Sequence, residues 1–123
     1  MLFRSDAISD VAIKKSELHA IIGILLDNAV DAAAFSSERR VDFSLAVKQD
    51  DILLSISNSF TKKPDLNRIF DRDYTTKKGH EGLGLYSVKK ILDRYDDVLL
   101  DVSVEQNEFR VCINFQGIHI TKV

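Results

Sequence analysis

Two parts of the chain alternate apolar and polar residues, reverse at a short polar turn, and then alternate again. In the first part the apolar positions are residues 41, 43, 45 and 47, then 52, 54 and 56 after a turn at 49–51. In the second part they are residues 98, 100, 102 and 104, then 109, 111, 113 and 115 after a turn at 106–107. A period of two puts the apolar side chains of a strand on one face. The pattern therefore predicts two antiparallel hairpins, each with one buried face.

Two other segments repeat apolar residues every three or four positions, as amphipathic helices do. The first begins at a predicted N-cap, Ser16, and runs to about Phe35, and the second spans residues 85–95. A short strand is expected over residues 7–13. The order strand, helix, hairpin, loop, helix, hairpin predicts an α+β fold, a two-layer α/β sandwich whose helices cover one face of a mixed, mostly antiparallel sheet.

Length and composition fit one soluble domain. The 123 residues are 45% hydrophobic and 29% charged, and the formal net charge is −2. This charge gives no general footprint for nucleic acid or for an anionic membrane surface, and no apolar run approaches the ~20 residues of a membrane span. The single cysteine, Cys112, excludes an internal disulfide and is predicted to be a buried packing residue. We expect a cytoplasmic domain, 1–123, excised from a longer protein.

Two glycines separated by one residue, Gly82 and Gly84, lead directly into the second helix. Glycine lets a backbone approach oxygen atoms closely, and the N–H groups of a first helical turn attract anions. The threonines and lysines of residues 75–78 add hydroxyls and positive charge that suit a polyphosphate. A polar loop precedes the glycines where a dinucleotide fingerprint needs a strand, and no Gly-Lys-Ser/Thr of a P-loop occurs. A plain turn with solvated charges is the alternative.

The first helix carries Asp27, Asn28 and Asp31 within an otherwise apolar segment. An amide oxygen near a phosphate site suits Mg²⁺, which takes one or two protein oxygens together with phosphate and water ligands. The alternative is an asparagine bonded to nearby backbone, with the two aspartates as solvated surface charges. The three histidines have no metal-ligand spacing, and no Ser/His/Asp or Cys/His constellation is evident.

Residues 58–82 follow neither period and contain the only proline, Pro64. A loop of this length within a compact domain is commonly a functional lid. We expect residues 61–81 to be the most mobile part of the free domain and to become ordered when a phosphate-bearing ligand binds.

Taken together, these segments resemble the histidine-kinase type of ATP-binding domain, the Bergerat or GHKL fold. Residues 25–33 look like its N box, residues 69–77 like its F box, and residues 82–85 like its last glycine box. The resemblance is nearest to the peptide-pheromone quorum-sensing sensor kinases of Gram-positive bacteria. In that branch an Asn-x-Phe stretch replaces the usual Asp-x-Gly-x-Gly box, and Asn58-Ser59-Phe60 stands there in this chain.

The resemblance implies a catalytic domain of a two-component signal transduction system, with ATP and Mg²⁺ as cofactors. Such a domain transfers the γ-phosphoryl group to a histidine on a separate phosphoacceptor and dimerisation domain, upstream of a response regulator. The full-length protein would lie in the cell membrane, although this domain would contact neither membrane nor nucleic acid. The implied Mg²⁺ ligand is Asn28, and Asp27 is the nearest candidate base. The phosphates would be held by the backbone of Gly82, Leu83 and Gly84, together with Thr76 and Lys77. Asn58 and Phe60 would contact adenine.

Three departures from the family pattern leave an alternative function open. Ile24 stands four residues before Asn28, where many relatives carry a carboxylate or an amide, and Asp73 stands where glycine is common. The third is the missing glycine-rich box. Ile24 and the missing box favour a nucleotide-binding regulatory module with little or no catalysis, and Asp73 implies a different lid backbone. A serine kinase of the anti-sigma type shares the fold, but it usually keeps the full glycine box.

Overall fold

The computed structural model describes residues 13–48, 51–72, 74, 84–116 and 120–121. Within these residues the structure has eight helices and strands. Seven follow the predicted order, and the eighth is a last short strand that the sequence pattern did not indicate. They are β1 (Ile13–Lys14), α1 (Lys15–Ala34), β2 (Val41–Lys48), β3 (Asp51–Ser59), α2 (Gly84–Leu92), β4 (Val98–Glu105), β5 (Glu108–Phe115) and β6 (Ile120–Thr121). Of the predicted first strand, residues 7–12 lie outside the described residues.

The main sheet has four strands in the order β2-β3-β5-β4, and every neighbouring pair is antiparallel. Both predicted hairpins are therefore confirmed, and β3 and β5 join them at the centre. The parallel pairing expected of a mixed sheet exists, but it lies in a separate two-stranded sheet, where β1 pairs with β6. Two residues from each strand are too few to show as a sequence period.

The core lies between the main sheet and the two helices. Its buried side chains come from one stripe of each helix and from the inward face of the central strands: Leu18, Ile21, Leu25 and Ala29 of α1, Val88 and Leu92 of α2, Ile52, Leu54 and Ile56 of β3, and Val111, Ile113 and Phe115 of β5. This arrangement confirms the two-layer α+β sandwich, because the period-two and period-3.6 faces meet in one core.

Ser16 is not the N-cap of the first helix, contrary to the sequence prediction. The helix begins at Lys15, and Lys14, in an extended conformation, occupies the cap position without a side-chain cap hydrogen bond. The reason is that β1 continues directly into α1, so the pairing of Lys14 with β6 fixes where the helix begins. Glu17 lies in the first turn of the helix, where a negative charge is favourable.

The first hairpin does not bury its whole apolar face. On β3 the alternation predicts burial correctly, but on β2 the side chains of Phe43, Leu45 and Val47 are 45%, 44% and 69% exposed. The cause is that β2 lies at the edge of the sheet while α1 packs mainly over β3. A period of two predicts which face a side chain occupies, but it does not predict how far the helical layer extends.

Cys112 is also placed differently from the prediction. It lies on the outer face of β5, half-buried, with its Sγ 3.6 Å from the Oγ of Ser55. Its neighbours Val111 and Ile113 point to the core, so alternation puts Cys112 on the opposite face. The cysteine therefore packs against a hydroxyl on the outer surface rather than in the core.

A buried pair of hydroxyls connects the segment after α1 to the end of β3. The Oγ atoms of Ser36 and Ser59 are 2.6 Å apart, and the Ser59 Oγ also accepts a hydrogen bond from the N–H of Arg40 at 2.8 Å. The Ser36 hydroxyl donates to the carbonyl oxygen of Ala33 at 2.8 Å, and its oxygen accepts from the N–H of Arg39 at 3.0 Å. Ser59 is 1% exposed, so water cannot replace these partners.

Ser59→Ala is expected to lower the free energy of unfolding by about 1–3 kcal/mol, because it removes the partner of the Arg40 N–H and one hydrogen bond of the buried Ser36 hydroxyl. Urea denaturation followed by circular dichroism measures this loss. Ser44→Ala, at an exposed position on β2, is the matched control and should change stability by less than about 0.5 kcal/mol. Equal losses for the two variants would contradict the structural role of the hydroxyl pair.

The described part of the predicted lid, residues 61–72 and 74, consists of turns and bends with several anchors. Ile69 is buried, the Tyr74 hydroxyl oxygen accepts a hydrogen bond from the N–H of Asp65 at 2.6 Å, and the Arg68 guanidinium lies 5.6 Å from the centre of the Tyr74 ring. Residues 73 and 75–83 lie outside the described residues, and the expected mobility of the lid stays a prediction.

Candidate functional site

The first helix and the start of the second meet at Asn28 and Gly84. Gly84 is the first residue of α2, and it lies directly against the Asn28 side chain. A Cβ built on Gly84 would lie 3.0 Å from both the Cγ and the Oδ1 of Asn28, and closer still to its Nδ2. Only glycine lets the two helices approach this closely. Two segments some fifty residues apart in the sequence are thereby placed side by side.

This contact joins an amide side chain to a helix N-terminus. The first N–H groups of a helix have no partner within the helix and carry partial positive charge, so they favour an anion. Asn28 is half-buried, and it has at least one noncovalent interaction partner within the protein. An oxygen ligand and anion-attracting N–H groups side by side are the two components that a metal–polyphosphate site needs.

The opposite ends of the two helices are held together by Glu17, Arg94 and Tyr95. The Glu17 carboxylate accepts hydrogen bonds from the Tyr95 hydroxyl and the Arg94 guanidinium. Burial, followed by the bond to Glu17, raises the pKa of Tyr95 above its ordinary value. The amino-acid sequence alone does not indicate this contact of Glu17. The contact links the start of α1 to the segment that follows α2, at the far ends of the helices from Asn28 and Gly84.

Asn58 lies near the end of β3, on the face of the sheet that carries Ile56 and Leu54. Its side chain is 6% exposed, and its Nδ2 donates a hydrogen bond to the carbonyl oxygen of Ser59 at 2.8 Å. This bond fixes the amide plane and directs the Oδ1 away from the Ser59 carbonyl. An amide oriented in this way presents its oxygen as an acceptor, which is the feature expected of an adenine-side residue.

Phe60 lines a cavity of about 470 Å³ at the end of α1. The other lining residues are Phe35, Ser36, Ser37, Glu38, Thr61 and Asn107. Neither Asn28 nor Gly84 belongs to this lining, so Phe60 and the Asn28–Gly84 contact are separate parts of the surface. The half-buried Phe60 ring borders the cavity next to Phe35, which is among the most exposed apolar side chains of the described residues.

The remaining site candidates differ in what the structure shows of them. Asp27 is exposed on α1, next to Asn28 in the sequence. Thr76, Lys77, Gly82 and Leu83 lie outside the described residues, so their assignment to the phosphates stays a prediction. Ile56, two residues before Asn58, is a core residue, and Leu85 packs against the same core.

A family model described as the GHKL domain matches residues 13–116, which is nearly the whole chain. The chain belongs to the GHKL domain family. Membership of this family implies that the domain binds ATP. The match also confirms the resemblance that was based on the N, F and glycine boxes. The branch within the family, that of pheromone quorum-sensing kinases, stays a prediction.

Curated relatives of this GHKL domain are sensor proteins. It is 30% identical over 115 residues to the sensor histidine kinase DpiB of Escherichia coli (strain K12), a match that covers 88% of this chain and 20% of DpiB. It is 36% identical over 76 residues to the sensor protein CitS of Bacillus subtilis (strain 168), covering 60% of this chain and 14% of CitS. The GHKL domain therefore spans about a fifth or less of the length of these relatives.

Solved structures support the same fold. The nucleotide-free catalytic domain of histidine kinase ThkA superimposes with a TM-score of 0.67 at 20% identity, covering 84% of this chain and 68% of that one. The mycobacterial sensor histidine kinase MprB gives a TM-score of 0.64 at 21% identity, covering 93% of this chain and 87% of that one. At such identities the likeness concerns the fold, which is that of histidine kinase catalytic domains. No helix among the described ranges is long and apolar enough to cross a bilayer.

Proposed function

We propose that this GHKL domain binds Mg²⁺-ATP and transfers the γ-phosphoryl group to a histidine of a separate phosphoacceptor domain. Both domains would belong to one longer sensor kinase, with this domain in the cytoplasm and a response regulator as the next acceptor. The observation that carries the proposal is the contact of Asn28 with Gly84, which puts a metal-ligand type of side chain beside a helix N-terminus.

The phosphates would bind where α2 begins. The Gly84 N–H and its neighbours in the first turn donate to phosphate oxygens, and the helix dipole favours their negative charge. Gly82 and Leu83 would extend this row of backbone donors, and Thr76 and Lys77 would hold the γ-phosphate end. Because the first-turn N–H groups of α2 are held by the helix itself, they would stabilise the charge that develops during transfer with little reorganisation.

The residues at the Asn28–Gly84 contact fit Mg²⁺. Asn28 supplies a hard oxygen ligand, and glycine at position 84 lets this side chain lie against the start of α2, where a Cβ would collide with it. Asn28 would hold the ion against the phosphates. When bound, Mg²⁺ neutralises phosphate charge and aligns the γ-phosphoryl group with its acceptor.

The adenine end would be read by Asn58, with Phe60 at the margin of the pocket. The Asn58 Oδ1, directed by the bond from Nδ2 to Ser59, would accept from the adenine amino group, directly or through water. The domain's contribution to transfer is mostly positioning and electrostatics. Asp27, exposed beside Asn28, is the nearest group able to accept a proton from the attacking histidine nitrogen.

A second function, nucleotide binding without transfer, is favoured by Ile24. This side chain is partly buried against the core, so no polar group occupies the position where many relatives carry a carboxylate or an amide. In that case ATP would only change how the domain docks on the rest of the sensor protein.

Two measurements on one preparation separate the two functions. Isothermal titration with Mg²⁺-ATP measures binding, and radiolabelled ATP added with the histidine-bearing dimerisation domain of the same sensor protein measures transfer. We expect binding and an acid-labile, base-stable phosphorylated product on that domain, and no labelling of the 123-residue chain alone. Binding without transfer would support the regulatory module, and absence of binding would contradict both functions.

A further inference from the structure

The outer edge of β2 combines free backbone groups with exposed apolar side chains. β2 is an edge strand of the four-stranded sheet, and among the described residues only β3 pairs with it. Its inward-face side chains Phe43, Leu45 and Val47 are all more than two-fifths exposed, as reported above. An edge of this kind is a template for pairing with another strand.

The direction of the free backbone groups follows from one hydrogen bond. The N–H of Ser59 donates to the carbonyl oxygen of Arg40 at 2.9 Å, so Arg40 turns its backbone toward β3. Because this direction alternates along an antiparallel strand, the even-numbered residues of β2 bond to β3. The odd-numbered residues, Phe43, Leu45 and Val47 among them, present their N–H and C=O groups to the open edge.

We propose that β2 pairs antiparallel with β2 of a second copy of this chain, with the two-fold axis at Leu45. In this register Leu45 faces Leu45 of the second copy, and Phe43 faces its Val47, so the apolar side chains form one continuous stripe across both copies. On the outer face, Asp42 lies opposite Lys48 of the second copy, twice by symmetry. Asp42, whose Oδ2 is 3.3 Å from the Nε of Arg40, would then lie between two cations.

Backbone geometry and charge together select this register. Only the odd-numbered residues of β2 have backbone groups that face the second copy, so they can form backbone hydrogen bonds only with its odd-numbered residues. Any other register therefore shifts the partner of each residue by two positions. A shift in one direction brings Arg40 opposite Lys48 of the second copy, which places like charges together, and a shift in the other direction separates Asp42 from Lys48. Only the register centred on Leu45 pairs both charges.

The association should be weak, because one strand from each copy buries little surface, and interfaces below about 1,200 Å² are typical of transient complexes. Sedimentation equilibrium of the 123-residue chain, at concentrations up to about 1 mM, measures it. Asp42→Lys and Lys48→Asp should each weaken self-association about tenfold, because each places two like-charge pairs across the axis. Asp101→Lys, a charge reversal on the other edge strand, is the matched control and should leave association unchanged.

Mixing the Asp42→Lys and Lys48→Asp variants gives the sharper result. In the mixed pair the lysines at positions 42 and 48 of one copy face the aspartates at positions 48 and 42 of the other, so heterodimers should form at the wild-type level while each variant alone associates about tenfold more weakly. Restored association also demonstrates that both variants are folded. Leu45→Cys in a Cys112→Ser background should form an intermolecular disulfide, because the two Cα atoms would be about 5.5 Å apart. A monomeric wild type at the highest concentration, or a mixture that fails to associate, would overturn the proposal.

Discussion

Gly84→Ala is expected to weaken Mg²⁺-ATP binding by about 100-fold, because it disturbs both the helix N-terminus and the side chain beside it. The added Cβ would collide with the Asn28 amide and force it to rotate away from the ligand. The cost in stability should be small, since a side-chain end can move and alanine forms helices better than glycine. Titration calorimetry and thermal unfolding on the same sample measure both effects, and the thermal midpoint should stay within a few degrees.

Gly23→Ala is the matched control. Gly23 lies on the exposed side of α1, and a Cβ there would meet no atom within 4 Å. This variant should bind Mg²⁺-ATP like the wild type and gain up to about 1 kcal/mol of stability. If Gly84→Ala behaves like Gly23→Ala in both measurements, the glycine is an ordinary helix start and the phosphate site lies elsewhere.

A double-mutant cycle with Asn28→Ala tells how Gly84→Ala acts. Truncating Asn28 removes the side chain with which the new Cβ collides. If the effect passes through Asn28, Gly84→Ala should cost little further affinity in the Asn28→Ala background. A full additional loss in that background would mean that the Cβ meets the phosphates directly.

Asn28→Ala alone should weaken Mg²⁺-ATP binding by roughly 10- to 100-fold while leaving metal-free adenosine unaffected. The reason is that the proposed role of Asn28 concerns the metal and the phosphates, not the base. Affinities for Mg²⁺-ATP, for ATP in EDTA and for adenosine, measured by titration, distinguish these contributions. His19→Ala, at an exposed position on the same helix, should change none of the three. Equal losses for Mg²⁺-ATP and adenosine would assign Asn28 to the fold instead of the metal.

The sequence alone determined which segments form helices and strands, because local periodicity reports the face that each segment buries. The 3.6-residue repeat of α1 and the alternation of β3 and β5 predicted their burial correctly. The boxes at residues 25–33 and 82–85 predicted the family, which the match over residues 13–116 confirms.

The tertiary structure decided how much of each face is covered. The apolar residues of β2 follow the same alternation as those of β3, yet they remain exposed because β2 lies at the sheet edge, beyond the main packing of α1. The start of α1 at Lys15 likewise depends on the pairing of β1 with β6, a contact between the two ends of the described chain. Neither a sheet edge nor a contact between distant segments leaves a local period.

The candidate site divides in the same way. Sequence identified Asn28 and Gly84 separately, because an amide within an apolar helix and a glycine before a helix each stand out from their neighbours. That the two touch, and that Glu17 holds the far ends of the same helices through Arg94 and Tyr95, follows only from how α1 packs on α2. The physical reason is that side-chain chemistry is local, whereas the distance between two such groups is set by the packing of the whole core.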